Sequence, residues 1–190
     1  MEEPSTECDL CHLRRSSPVR VRPGLAARAS RRLPTVGRVA HYVATVRSPR
    51  QAREAFDLVS DMRTFADWDP GIRSVAQVDG QGPGPGAVFD VRVAAFPLDL
   101  TLRYTTERYH TASSGPSEVL LVGRSMLFTS VDLITVSPTE DGSLVRYDAD
   151  LRLAGPLRLG DLALRPVFGW VGARAESGLR TALAGESVRA

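Results

Sequence analysis

From Phe89 to Leu153 apolar and polar residues alternate through one short run after another, and no other feature of the chain restricts its fold as tightly. Phe89, Val91 and Val93 alternate with Asp90 and Arg92. Leu98, Leu100, Leu102 and Tyr104 alternate with Asp99, Thr101 and Arg103. Beyond the turn "TASSGPS" come "EVLLVGRSM" and "FTSVDLITVSP". The hairpin signal "TEDGS" then leads to Val145, Tyr147, Ala149, Leu151 and Leu153, set against Arg146, Asp148, Asp150 and Arg152. A period of two with short turns specifies antiparallel strands, one face apolar and one face wet.

Such a sheet has to bury its apolar face, and the flanking segments limit what can cover it. "VAHYVATVRSP" reads as a first strand ending at Ser48-Pro49. Helical spacing follows, with Ala52, Ala55, Phe56, Val59 and Met62 on one side, Ser48 as expected N-cap and Pro49 as first helical residue. That helix breaks between Asp61 and Pro70, ahead of "IRSVAQV" and the loop "DGQGPGPG". The C-terminal segment is helical, with Val167, Val171, Ala175, Leu179 and Leu183 at three-to-four spacing and Pro166 expected to start or kink it. Small residues on that face (Gly172, Ala175, Gly178, Ala182) permit close packing on a sheet. The pattern predicts an α+β domain: a curved antiparallel sheet of about seven strands around a long C-terminal helix, with a broken helix after the first strand. A sheet covered by one helix can keep an apolar cavity on its concave side.

Composition removes several chemistries. With 43% hydrophobic and 24% charged residues, the 190-residue chain has a globular balance. All 24 basic residues are Arg, and the chain contains no Lys and no Asn. A lysine Schiff base, pyridoxal-phosphate attachment and a Walker-type loop are therefore excluded. Residues 1–38 hold eight Arg against Glu2, Glu3, Glu7 and Asp9, a net of +4, so residues 39–190 carry −2. A mildly acidic domain argues against a nucleic-acid groove. No apolar run is long enough to span a bilayer, and the N-terminus lacks an apolar signal core. The expected location is the cytoplasm.

Residues 1–38, rich in Arg, Pro, Ser and Gly, read as a disordered tail, and residues 39–190 as the domain. Cys8, Cys11 and His12 match the C-x-x-C-H pattern of haem attachment, but that chemistry follows export and no export signal is present. As zinc ligands they number three, with no second pair in reach. No cofactor and no metal are expected.

The element order and "SPRQAREAFDLVSDMRTFADWDPGI" resemble the START-like helix-grip superfamily (SRPBCC), in its polyketide cyclase/dehydrase-like branch. "DGSLVRYDADLRLAGPLRL" is similar to that family's last strand and the start of its closing helix, so the likeness covers roughly residues 39–184. It implies a hydrophobic small-molecule ligand (a lipid, polyketide or similar metabolite) held between sheet and helix. A cofactor-independent polyketide aromatase/cyclase or dehydratase is the alternative, and a protein-interaction module the second.

Within that frame the expected cavity residues are Trp68, Phe89, Val91, Val93, Leu100, Leu102, Tyr104, Asp132, Ile134, Tyr147 and Val171. Trp68 reads as a packing anchor whose indole N–H meets a carbonyl. Its neighbours Asp67 and Asp69 read as solvated or capping acids rather than metal ligands or catalysts. Asp132 faces inward if it shares parity with Phe128, Ile134 and Val136, and outward if Val131 and Leu133 point in. If inward, it needs a partner such as Arg124 or a ligand hydroxyl. His41 and His110 support no catalytic triad, and residues 39–190 contain no cysteine nucleophile. Oligomeric state is left open.

Overall fold

The alternating runs are strands. In a computed structural model the chain divides into two units, Met1–Pro34 and Thr35–Ala190. The structure describes residues 40–95, 98–153 and 161–188, and the side chains of 41–94, 99–153 and 172–188. Cys8, Cys11, His12 and the rest of the expected tail lie outside the described residues.

Among the described residues the order is β1 (Ala40–Ser48), α1 (Ala52–Ser60), a 3₁₀ turn (Met62–Thr64), α2 (Phe65–Trp68), β2 (Ile72–Asp79), β3 (Val88–Ala95), β4 (Leu98–His110), β5 (Ser117–Arg124), β6 (Phe128–Thr139), β7 (Gly142–Leu153), α3 (Asp161–Ala182) and β8 (Glu186–Ser187). Every pairing is antiparallel, in the order β2-β3-β4-β5-β6-β7-β1-β8. The sheet is open and curled, an α+β helix-grip fold. Its eighth strand is a two-residue pairing of Glu186 and Ser187 with Arg47 and Val46.

One face carries the core. Phe89, Val91, Leu102, Leu121, Ile134, Val136, Val145 and Val46 are buried there with Phe56, Val59 and Met62 of the first helical segment. Burial of each such side chain contributes roughly 1.5–3 kcal/mol before entropy is counted. In β4 the register slips between Thr106 and Arg108, a bulge that returns Tyr109 to the apolar face. Its ring there packs 5.3 Å from Phe56.

Ser48 is not a helix cap. It pairs with Ser143 in the β1–β7 ladder, and α1 begins at Ala52 after Gln51, with no side-chain cap. The buried Ser48 hydroxyl instead donates to the Leu183 carbonyl at 2.6 Å, tying β1 to the end of α3. α3 starts at Asp161, so Pro166 lies inside the helix rather than at its start.

The small residues of α3 are contact points. A Cβ on Gly172 would fall 2.5 Å from the Tyr42 ring of β1, and one on Gly178 would fall 1.7 Å from the Trp68 carbonyl oxygen. The helix therefore closes on β1 and on the end of α2 at distances that only glycine allows.

Candidate functional site

On the apolar face the cross-strand register brings a few polar groups together. Tyr104 of β4 lies opposite Gly123 of β5, and Gly123 opposite Ser130 of β6. A Cβ on Gly123 would lie 2.5 Å from Cζ of Tyr104, so the ring occupies the space that a side chain would take. Across that gap the Tyr104 phenol meets Ser130 and Asp132. Ser130 Oγ also hydrogen-bonds both carboxylate oxygens of Asp132, at 3.0 and 3.2 Å. Tyr147 of β7, opposite Ile134, reaches the same carboxylate.

Asp132 is 3% exposed. Burial pushes its carboxyl up to about 6, against the opposing pull of hydrogen bonds from Tyr104, Ser130 and Tyr147. A second carboxylate, Asp69, adds to the rise. Asp69 is itself raised by burial, although it accepts the Gly71 N–H at 2.8 Å and feels the charge of Arg174. The Tyr104 and Tyr147 phenols are both held far above their ordinary range, first by burial and then by the Asp132 charge. They therefore stay neutral and act as hydrogen-bond donors. The chemical result is a carboxyl that can gain or lose a proton near neutral pH, flanked by two fixed phenols and a hydroxyl on a largely apolar surface.

Each expected cavity residue can now be placed. Phe89, Val91, Leu102, Tyr104, Ile134 and Trp68 are buried in the core cluster, and Val93, Leu100 and Tyr147 are partly buried against it. Asp132 faces inward, with Ser130, Ile134 and Val136. Val171 lies in α3 but outside the described side chains. Arg124 is not the partner of Asp132: it points to the wet face and pairs with Glu107 at 2.8 Å. Trp68 packs on Phe65 with ring centroids 4.6 Å apart, yet its buried Nε1 meets no carbonyl or other acceptor among the described residues.

Ser130 and Gly123 belong to the site and are not among the residues expected there; Asp69, expected as a solvated or capping acid, does cap a backbone amide but also acts on Asp132. Ser130 shares the parity of Asp132, a signal available once that parity is known. Asp69 turns inward because its side chain caps the Gly71 amide, while Asp67 stays exposed on α2. Among the described residues no group of three metal-ligating side chains occurs. Two open grooves flank α3. One of about 410 Å³ is lined by Asp67, Trp68 and Pro70 and by α3 from Arg174 to Ala182, and one of about 730 Å³ runs along β1, α3 and β8. Asp132 lines neither.

The family model described as "Polyketide cyclase / dehydrase and lipid transport" matches residues 39–184, most of the chain. The chain belongs to this family. Among START-like solved structures, a START superfamily protein from Mycobacterium smegmatis is 14% identical, with a TM-score of 0.59 over 76% of this chain and 97% of that one. The human StarD13 lipid transfer and protein localization domain is 13% identical, with a TM-score of 0.56 over 75% and 76%. The di-domain ARO/CYC StfQ from the steffimycin biosynthetic pathway is also 13% identical, with a TM-score of 0.55 over 76% of this chain and 50% of that one. At these identities the likeness establishes the START-like fold. No curated protein matches the sequence significantly. No helix among the described residues is long and apolar enough to cross a membrane.

Proposed function

We propose that residues 39–190 form a domain that binds a hydrophobic small molecule between the sheet and α3. The observation that carries this reading is the Asp132 cluster: one carboxyl and three hydroxyls converging on a largely apolar inner face. A polar cluster of this kind costs stability when buried, and an apolar site with a few convergent polar groups is the usual form of a ligand pocket. The family description, which includes lipid transport, supports the same reading. Apolar ligand surface would supply the driving force at roughly 25 cal/mol per Å², and Tyr104, Tyr147 and Asp132 would orient the polar end.

The test is a titration with the neutral apolar fluorophore N-phenyl-1-naphthylamine, alongside native mass spectrometry of the intact protein. Saturable binding at one site, weakened by Tyr147→Phe, is expected. Absence of binding, with an inner face filled by α3 side chains in a crystal structure, would overturn the reading.

One observation favours a second reading, a cofactor-independent polyketide cyclase or dehydratase. A carboxyl near 6 beside two neutral phenols has the makings of a base and a donor. Asp132 would take a proton from the carbon between two ketones while a phenol hydrogen-bonds the acceptor carbonyl. The carbanion would then attack that carbonyl carbon, and the new alkoxide would recover a proton. Cyclised product from a poly-β-ketone, lost in Asp132→Asn, would favour turnover; unchanged product would remove Asp132 from that role.

A further inference from the structure

Among the described residues the charged groups of the inner face are of one sign. Asp132 and Asp69 lie close enough for their charges to act on each other, and Glu176 of α3 accepts the Tyr42 hydroxyl two strands from Asp132. The hydroxyls that meet Asp132 belong to Tyr104, Tyr147 and Ser130. Every described arginine is exposed; Arg174 is the one whose charge acts on Asp69. The chain has no lysine to place inside.

Thr106 gives an independent sign of an unfilled role. It sits on the same face of β4 as Tyr104, and the register runs from it through Leu121 to Asp132. It is 2% exposed, and its Oγ1 has no hydrogen-bond partner among the described residues. A buried hydroxyl left unpaired is costly, and a polar ligand group beside it would remove that cost.

We infer that the ligand of this site is a hydrophobic amine, with its ammonium set against Asp132 and Asp69, on the face that also carries the Thr106 hydroxyl two strands away. The inference rests on the binding reading above and adds the sign of the head group. An ammonium supplies donors to two carboxylates that have no buried cation among the described residues. A fatty-acid carboxylate or a phosphate would bring a further negative charge into the same apolar space. Among the described residues the groups that act on Asp132 are Tyr104 from β4, Tyr147 from β7, Ser130 on its own strand and Asp69 from the end of α2, while α1 adds the apolar Phe56 and Val59 to the core of that face.

The experiment is displacement of N-phenyl-1-naphthylamine from the full chain by dodecylamine, dodecanol and dodecanoate, each below its micelle concentration. At about pH 7.5 dodecylamine should displace the probe at about tenfold lower concentration than dodecanol, the difference between a charged and a neutral hydrogen bond. Dodecanoate should be the weakest. In Asp132→Asn the amine should fall to the level of the alcohol in the same variant. In the unmutated protein, lowering the pH to about 5 should shrink the amine's advantage, which tests the same point if that variant folds poorly. Equal displacement by all three, or tighter dodecanoate, would overturn the inference while leaving hydrophobic binding intact. Failure of the probe itself to bind would overturn both.

Discussion

The ring of Tyr104 occupies the place of the side chain that Gly123 lacks, with Cζ 2.5 Å from where a Cβ would stand. That absence lets a residue of β4 reach across β5 and meet Ser130 and Asp132 on β6. Gly123→Ala should therefore cost about 1–3 kcal/mol by overpacking. It should also raise the Asp132 carboxyl further, because a hydrogen bond that lowers it is lost. Urea denaturation and a ¹³C titration of the aspartate carboxyls read the two effects. A stable variant with an unchanged Asp132 titration would contradict the arrangement.

Asp132 makes stability depend on pH in a defined direction. Its folded carboxyl titrates at about 6 against an ordinary 3.8, so the folded state holds the proton more tightly than the unfolded one. Its contribution is most favourable below about 3.8 and is lost as pH rises through about 6, a total of about 3 kcal/mol. Asp69 acts in the same direction. Asp61 and Asp90, lowered by Arg63 and Arg103, act oppositely, but Asp90 and both arginines are well exposed to solvent and these pairs contribute little. Asp132→Asn should raise Tm above pH 7 and flatten the decline between about pH 4 and 7. A Tm below that of the unmutated protein at pH 7.5 would count against a charge buried at net cost.

Gly178 tests how α3 seats. A methyl there meets the Trp68 carbonyl, a backbone atom that cannot swing aside, whereas a methyl on Gly84 meets nothing within 4 Å. Gly178→Ala should destabilise by about 3 kcal/mol, and Gly84→Ala should leave the midpoint unchanged. Equal midpoints in thermal or urea denaturation would mean that α3 is held less closely than its contact with Trp68 indicates.

How far the chain could be read from its letters follows from these same residues. Alternation from Phe89 to Leu153 was enough for the strands and their faces, because period two leaves one interpretation when charges sit at every other place. It failed at Asp132. There Val131 and Leu133 are as apolar as Ile134 and Val136, so the strand's own pattern permits either face. Gly123 has the appearance of a weak point in a strand until its cross-strand partner is known, and register between distant strands is not a local property. Asp69 depends on a turn in which its side chain caps Gly71, against a sequence context in which Asp67 looks equivalent. Ser48 misled for a similar reason. Its place beside Pro49 suits a cap, but the β1–β7 pairing claims it first.

The boundary near residue 39 is a proposal open to a simple check. Removing residues 1–38 should leave Tm and probe binding as they are, since every residue of the Asp132 cluster lies beyond that point. Loss of either on removal would assign the N-terminal segment a part in the fold or the site.

The central claim, that the Asp132 cluster faces the ligand, is tested most directly by titrating the Asp132 carboxyl by ¹³C NMR with and without saturating N-phenyl-1-naphthylamine. An apolar molecule packed against the cluster removes the little polar contact that a carboxyl only 3% exposed still has beyond its own partners, so its midpoint should rise above about 6 when the probe is bound. A probe that binds while the Asp132 titration stays fixed would place the ligand elsewhere and contradict the account.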